Sequence, residues 1–177
     1  MMRGRDDSEF ASFVTGSQRR LRATAYLMCG DWALASDIVQ EALIRVYVAW
    51  PRLESRSGGT HAYARRCVVN VAIDRARKRS NSELPVEESR FERGAPEPDL
   101  GTSTADRQAL VAALRLLAPR QRACVVLRYF EDQSVTETAR LLSCSEGTVK
   151  SQTARALETL RHRLVLDDEP TDLGALP

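Results

Sequence analysis

Thr148, Lys150, Ser151, Gln152, Ala154 and Arg155 bring cations, hydrogen-bonding groups and a methyl together within one stretch of helical character. With Val149 as the inward reference at about 100° per residue, Thr153, Ala156, Leu160 and Leu164 share its side. Gly147, Ser151, Ala154 and Arg155 then point outward, with Thr148 and Lys150 beside them. Such a face can read a duplex. Lysine and arginine pair with phosphates or guanine edges, serine and glutamine bond bases or backbone, and alanine lets a helix sit deep against a thymine methyl. Thr148 at the helix start favours a phosphate. The competing reading is an ordinary solvated face.

A second constellation is cationic. Arg65 to Arg79 carries six basic residues and one acid. Basic residues at a helix C-terminus are favourable against the macrodipole, which accounts for one or two of Arg75, Arg77, Lys78 and Arg79. Four of them, with Arg65 and Arg66 upstream, fit a helix that tracks phosphates. A third constellation mixes acid, amide and apolar groups. In the stretch 33–50, Ala35, Val39, Ala42, Val46 and Ala49 form one stripe that suffices for a core contact. Asp37, Gln40, Glu41, Ile44 and Val48 lie opposite, which suits docking on another protein.

These faces need helices to hold them. Phe10, Phe13, Val14, Ser17, Leu21, Ala25 and Met28 predict an amphipathic helix ending near Gly30. Asp31 is placed to cap a second helix that Pro51 stops, and Thr60 to cap a third that runs through Arg79. The stretch 80–104 has three prolines, two glycines and six acids against two arginines, and reads as a flexible acidic linker. A helix from about Ala105 follows, with Leu110, Leu114 and Leu117 on one face. Pro119 opens the next, which carries Ala123, Val126, Leu127 and Phe130. Ser134 and Glu137 form a capping box for a short helix from Val135 to about Leu142. A last helix runs from about Glu146 to Leu164, and the tail reads as disordered. Two short helices joined by about three residues fit a helix-turn-helix. The expected fold is all-α: two small helical domains, 8–80 and 105–166, joined by the linker 81–104, with the tail at 167–177.

The chain has 177 residues and a net charge of only +2, so the global balance selects no partner. Cys29, Cys67, Cys124 and Cys144 are scattered without a CxxC pair, and His61 and His162 are the only histidines. That argues against a metal site and for four buried thiols in a reducing compartment. No cofactor or small-molecule substrate is expected. No apolar run is long enough to insert in a membrane, and the N-terminus lacks the apolar core of a signal peptide, so a cytoplasmic location is expected. Paired carboxylates or a Cys–His constellation on one face are missing, which disfavours an enzyme.

The ordered motifs resemble a bacterial RNA polymerase sigma factor of the extracytoplasmic-function type, reduced to regions 2 and 4, from about Phe10 to Leu166. "DIVQEALIRVY" resembles the core-polymerase-binding segment, with Asp37, Gln40 and Glu41 at matching positions. "AYARRCVVNVAIDRARKR" resembles the minus-10 reading and melting helix, with Asn70, Asp74 and Arg75 matching. The stretch 114–161 resembles region 4, whose recognition helix reads the minus-35 element. Tyr63 stands where many relatives have tryptophan, Ser143 where the turn usually has glycine, and Gln152 where arginine is common. The "CVVN" run is similar to an actinobacterial branch.

The resemblance implies that Asp37, Gln40, Glu41, Ile44 and Val48 dock on the polymerase clamp, with the flap as a second polymerase contact. It implies that Arg65, Arg66, Asn70, Asp74, Arg75, Arg77, Lys78 and Arg79 engage promoter DNA at minus 10. The loop 53–60 and the helix after it would hold a flipped base. Linker acids would occupy a basic channel of the polymerase, and an anti-sigma protein is a further partner. Two alternatives remain at this point: a stand-alone helix-turn-helix regulator, and a helical adaptor that binds only protein.

Overall fold

A computed structural model describes residues 3–53, 59–80 and 104–167. The chain runs α1 (Arg3–Cys29), α2 (Trp32–Ala49), α3 (Gly59–Ser80), α4 (Thr104–Arg115), α5 (Pro119–Val125), α6 (Val135–Leu142) and α7 (Glu146–Asp167). A single 3-10 turn, Trp50–Arg52, follows α2, and a π turn, Val126–Phe130, follows α5. Among the described residues there is no strand. The all-α expectation holds. The linker and residues 168–177 of the tail lie outside the described residues, and Asp167 belongs to α7.

Helices α1, α2 and α3 pack on one another through Leu21, Ala25, Met28, Ile38, Val39, Val46, Val68, Val69 and Val71, all buried. At one end, Phe10 sits edge-on to Tyr47 and Trp50 at 4.9 and 5.1 Å, and Phe13 lies 5.0 Å from His61. These rings clamp the start of α1 to the end of α2 and the start of α3. At the other end, Tyr26 stacks on Trp32 at 3.8 Å. Asp31 caps α2 as expected, accepting from the Leu34 amide at 2.8 Å. Gly30 ends α1 at φ +75°, and its amide bonds the Tyr26 carbonyl at 2.7 Å. A Cβ there would also lie 3.0 Å from Arg115 and 3.1 Å from Val111, so glycine serves both the backbone and the approach of α4.

Helices α4 to α7 make the second body. The Ser134–Glu137 capping box forms in both directions, each at 3.0 Å. Ser143, standing where glycine is usual, takes a left-handed conformation at φ 51° and lets Cys144 bond the Ala139 carbonyl at 3.0 Å. The apolar cluster continues from the first body into the second through Val111, Leu114, Leu117, Ala123, Leu127 and Val149.

Four expectations change. Thr60 lies inside α3 and does not cap it, because Gly59 is already helical. Leu110 is exposed; Val111 and Leu114, three apart, form the inner face of α4, and Leu117 follows in the turn. The helix from Pro119 does not run unbroken to Phe130, since the register widens to a π turn at Val126. Cys67 and Cys124 are buried, but Cys29 and Cys144 are only half-buried.

Candidate nucleic-acid interface

The α6–α7 pair places the outward face of α7. Ser145 opens α7: its Oγ accepts from the Thr148 amide at 3.1 Å and lies 2.9 Å from Thr148 Oγ1. Thr136 donates to Glu146 Oε1 at 2.7 Å and braces the two helices. Val149 and Ala156 are fully buried, Ala139 and Leu142 of α6 are buried with them, and Val135 and Leu160 pack at the margin. Leu164's side chain lies outside the described set. Lys150, Ser151, Ala154 and Arg155 are exposed, while Thr148 and Gln152 are half-buried. Among the described residues Lys150 and Arg155 have no ion-pair partner, so both cations are available to an outside anion. The Ser151 hydroxyl donates to the Thr148 carbonyl at 3.0 Å, leaving its lone pairs outward.

The cationic helix α3 divides in two. Arg77, Lys78, Arg79 and Asp74 are exposed and line an open groove of about 650 Å³ with Leu34, Glu41, Arg45, Val71 and Arg75. Asn70 is half-buried. Arg75 is not free: its Nε and Nη2 donate to Glu41 Oε2 at 3.3 and 2.9 Å. Glu41 also accepts from Arg45 at 2.8 Å, so this partly exposed acid lines the rim of the groove between α2 and α3. The Arg75 guanidinium holds its carboxyl below the usual carboxylate range, with Arg45 adding to the effect. Arg65 and Arg66, at the other end of α3, face the second body. Arg65 Nε donates to Glu131 Oε2 at 2.9 Å, and Arg66 Nη2 donates to Ser143 Oγ at 2.9 Å.

On α2, Ala35, Val39, Ala42 and Val46 are buried as expected, Ala49 is half-buried, and Ile38 joins the core. The opposite face leaves Ile44 and Val48 65% and 75% exposed, with Asp37 and Gln40 exposed nearby. Tyr47, also exposed, extends the patch, and its hydroxyl lies 3.1 Å from Asp7 Oδ1. The sequence reading missed it, although Ile44, Tyr47 and Val48 stand at i, i+3 and i+4.

The reading also missed Glu131, whose side chain is 1% exposed. It accepts from Arg20 Nε at 3.1 Å and from Arg65, and Thr24 of α1 bonds its second oxygen. The π turn places it there, since the Glu131 amide reaches back to the Val126 carbonyl at 3.0 Å. No periodicity in "RYFEDQS" signals a buried acid. Among the described residues no cluster of His, Cys, Asp or Glu is arranged to hold a metal, and no helix is long and apolar enough to cross a membrane.

Comparison with known proteins agrees with this layout. Residues 13–82 match the Sigma-70 region 2 family, and residues 107–160 match the Sigma-70 region 4 family. The RNA polymerase sigma-E factor of Streptomyces coelicolor is 39% identical over 163 residues, covering 90% of this chain and 88% of its own. That of Streptomyces avermitilis is 38% identical over 170 residues, covering 94% and 89%. Among solved structures, a Bartonella quintana sigma factor determined with an anti-sigma factor shares the fold. Its TM-score is 0.63 at 21% identity, over 90% of this chain and 98% of that one.

Proposed function

Since the chain belongs to the RNA polymerase sigma factors of the extracytoplasmic-function type, binding core polymerase and directing it to promoters, we propose how its three faces divide that work. The first body, 8–80, docks on the polymerase clamp through Asp37, Gln40, Ile44 and Val48, with Glu41 shaping the edge. The cations of α3, with Asn70 and Asp74, engage the minus-10 element. The second body, 105–166, seats on the flap and reads the minus-35 element through Thr148, Lys150, Ser151, Gln152, Ala154 and Arg155. The chain contributes recognition and positioning, and the chemistry of RNA synthesis belongs to the polymerase. An anti-sigma protein, of the class bound to the Bartonella relative, is a regulator of this chain in the same reading.

The observation that carries the assignment is the exposure of Lys150, Ser151, Ala154 and Arg155 beside a fully buried Val149 and Ala156. A helix with one face sunk in its body and a small cationic face outside fits a major groove. Site-specific photocrosslinking tests it. With holoenzyme on a promoter, a benzophenone amino acid at Ser151 should label upstream DNA, and one at Val48 should label a polymerase subunit. Labelling of DNA from Val48 and of protein from Ser151 would reverse the assignment.

A further inference from the structure

The first turn of α7 carries an acid on the face assigned to DNA. Glu146 is exposed, as are Gly147, Lys150 and Ser151 beside it. In a helix-turn-helix the N-terminal residues of the second helix come closest to base edges. A Cβ at Gly147 would meet only Ser145 Oγ at 3.8 Å, so the surface beside Glu146 is open to close approach. An acid brought up to a phosphate backbone is repelled unless a donor on the duplex receives it.

Two observations set what Glu146 can do. Thr136 of α6 donates to its Oε1 at 2.7 Å, and Oε2 has no hydrogen-bond partner among the described residues. Glu146 and Lys150 are four residues apart, the spacing that favours an ion pair along a helix. Yet among the described residues they form none, because the carboxylate is held toward α6. The start of α7 thus offers one oriented carboxylate oxygen and, one helical turn further on, one unpaired cation.

We propose that Glu146 is a specificity-determining residue whose Oε2 accepts from the N4 amino group of a cytosine in the minus-35 major groove. The chemistry selects the base. Cytosine offers a donor alone at that edge, whereas adenine sets an N7 acceptor beside its amino group, and guanine and thymine present acceptors that repel a carboxylate. Thr136 is a positioning residue: it keeps the carboxylate off Lys150, so that acid and cation each face the duplex. The inference rests on the assignment of α7 to the upstream element given above.

Holoenzyme reconstituted with the full chain tests this on promoters randomised over the upstream element, with bound sequences counted before and after selection. The parent should favour cytosine at one position. Glu146→Ala should cut that preference about tenfold and leave the preferences elsewhere in the element unchanged. Glu146→Gln should raise adenine at the same position, since an amide can donate to N7 while accepting from N6. Thr136→Val should weaken the cytosine preference in the same direction as Glu146→Ala. An acid that only steadies the helix start would instead lower binding evenly across the pool when replaced. That result overturns the proposal, and so does a cytosine preference that neither Glu146 variant alters. Failure of the α7 assignment shows separately, because Lys150→Ala and Ser151→Ala would then leave the selected sequences and their affinity unchanged as well. Loss of binding in Lys150→Ala with no change in either Glu146 variant removes the cytosine contact alone.

Discussion

Arg75 Nη2 lies 2.9 Å from Glu41 Oε2, so one ion pair joins the helix assigned to DNA with the helix assigned to polymerase. Both side chains are partly open to solvent, and an exposed pair of this kind contributes at most about 1 kcal/mol. Its effect is local: it ties Arg75 to Glu41 at the rim of the cationic groove.

Glu41→Gln should therefore destabilise the fold only slightly, and the deficit should depend on pH. The carboxyl is held low by Arg75 and Arg45. Its contribution is present above the ordinary carboxylate range and disappears as pH falls through the lowered folded value. Urea denaturation of variant and parent should differ at neutral pH and converge in acid. A gap that widens in acid would mean the pair is not the source.

Ile44→Ser and Val48→Ser should leave thermal stability within about 0.5 kcal/mol of the parent, since both side chains are mostly exposed. Affinity for core polymerase should fall by roughly 1–2 kcal/mol for each. Fluorescence-anisotropy titration with core enzyme measures this. Asp37→Ala should weaken the same binding.

Lys150→Ala should cost about 1–3 kcal/mol at one or two upstream base pairs if the lysine contacts a base. Holoenzyme binding to a panel of single-base promoter variants reads this directly. Uniform loss across the panel would assign Lys150 to a phosphate.

Burial pushes the thiols of Cys29 and Cys124 up to about 11. Thiolate is the reactive form, so both should resist iodoacetamide at pH 8 in the native chain and react fast once unfolded. Because the folded values are raised, the stability they carry is intact below the ordinary thiol range and is lost as pH climbs towards 11. Mass mapping of alkylated peptides against pH checks the order of labelling.

Thr138 is fully buried in α6 and its hydroxyl has no hydrogen-bond partner among the described residues. Thr138→Val keeps the shape and removes that group, and should raise stability by about 1 kcal/mol or more. Chemical denaturation measures it; a loss of stability would show that the hydroxyl is satisfied in solution.

Much of the fold was legible because the signals are local. Asp31, Pro51, Pro119, the Ser134–Glu137 box and the apolar spacing of α2 and α7 each act within one or two helical turns, and periodicity carries the buried face of α7 directly. Thr60 misled because a cap residue type sat one position inside a helix already begun at Gly59. Leu110 misled because α4 buries the neighbouring Val111 instead. The π turn at Val126 was invisible, since a one-residue widening leaves no mark on composition. Its consequence, Glu131 buried against Arg20 and Arg65, depends on residues 111 and 66 positions away. No local pattern encodes such a pairing. For the same reason the exposed cations of α7 could be read from sequence, whereas the engagement of Arg65 and Arg66 could not.

The central claim is that this chain supplies promoter choice to core RNA polymerase through its α2 and α7 faces. Run-off transcription on a pool of candidate promoters tests it most directly, comparing core enzyme alone with core enzyme plus the parent chain, Val48→Ser or Lys150→Ala. The account predicts discrete transcripts only when the parent chain is added, with both variants strongly reduced. Tight, selective binding of promoter DNA by the purified chain, with no transcripts from the reconstituted enzyme, would contradict it.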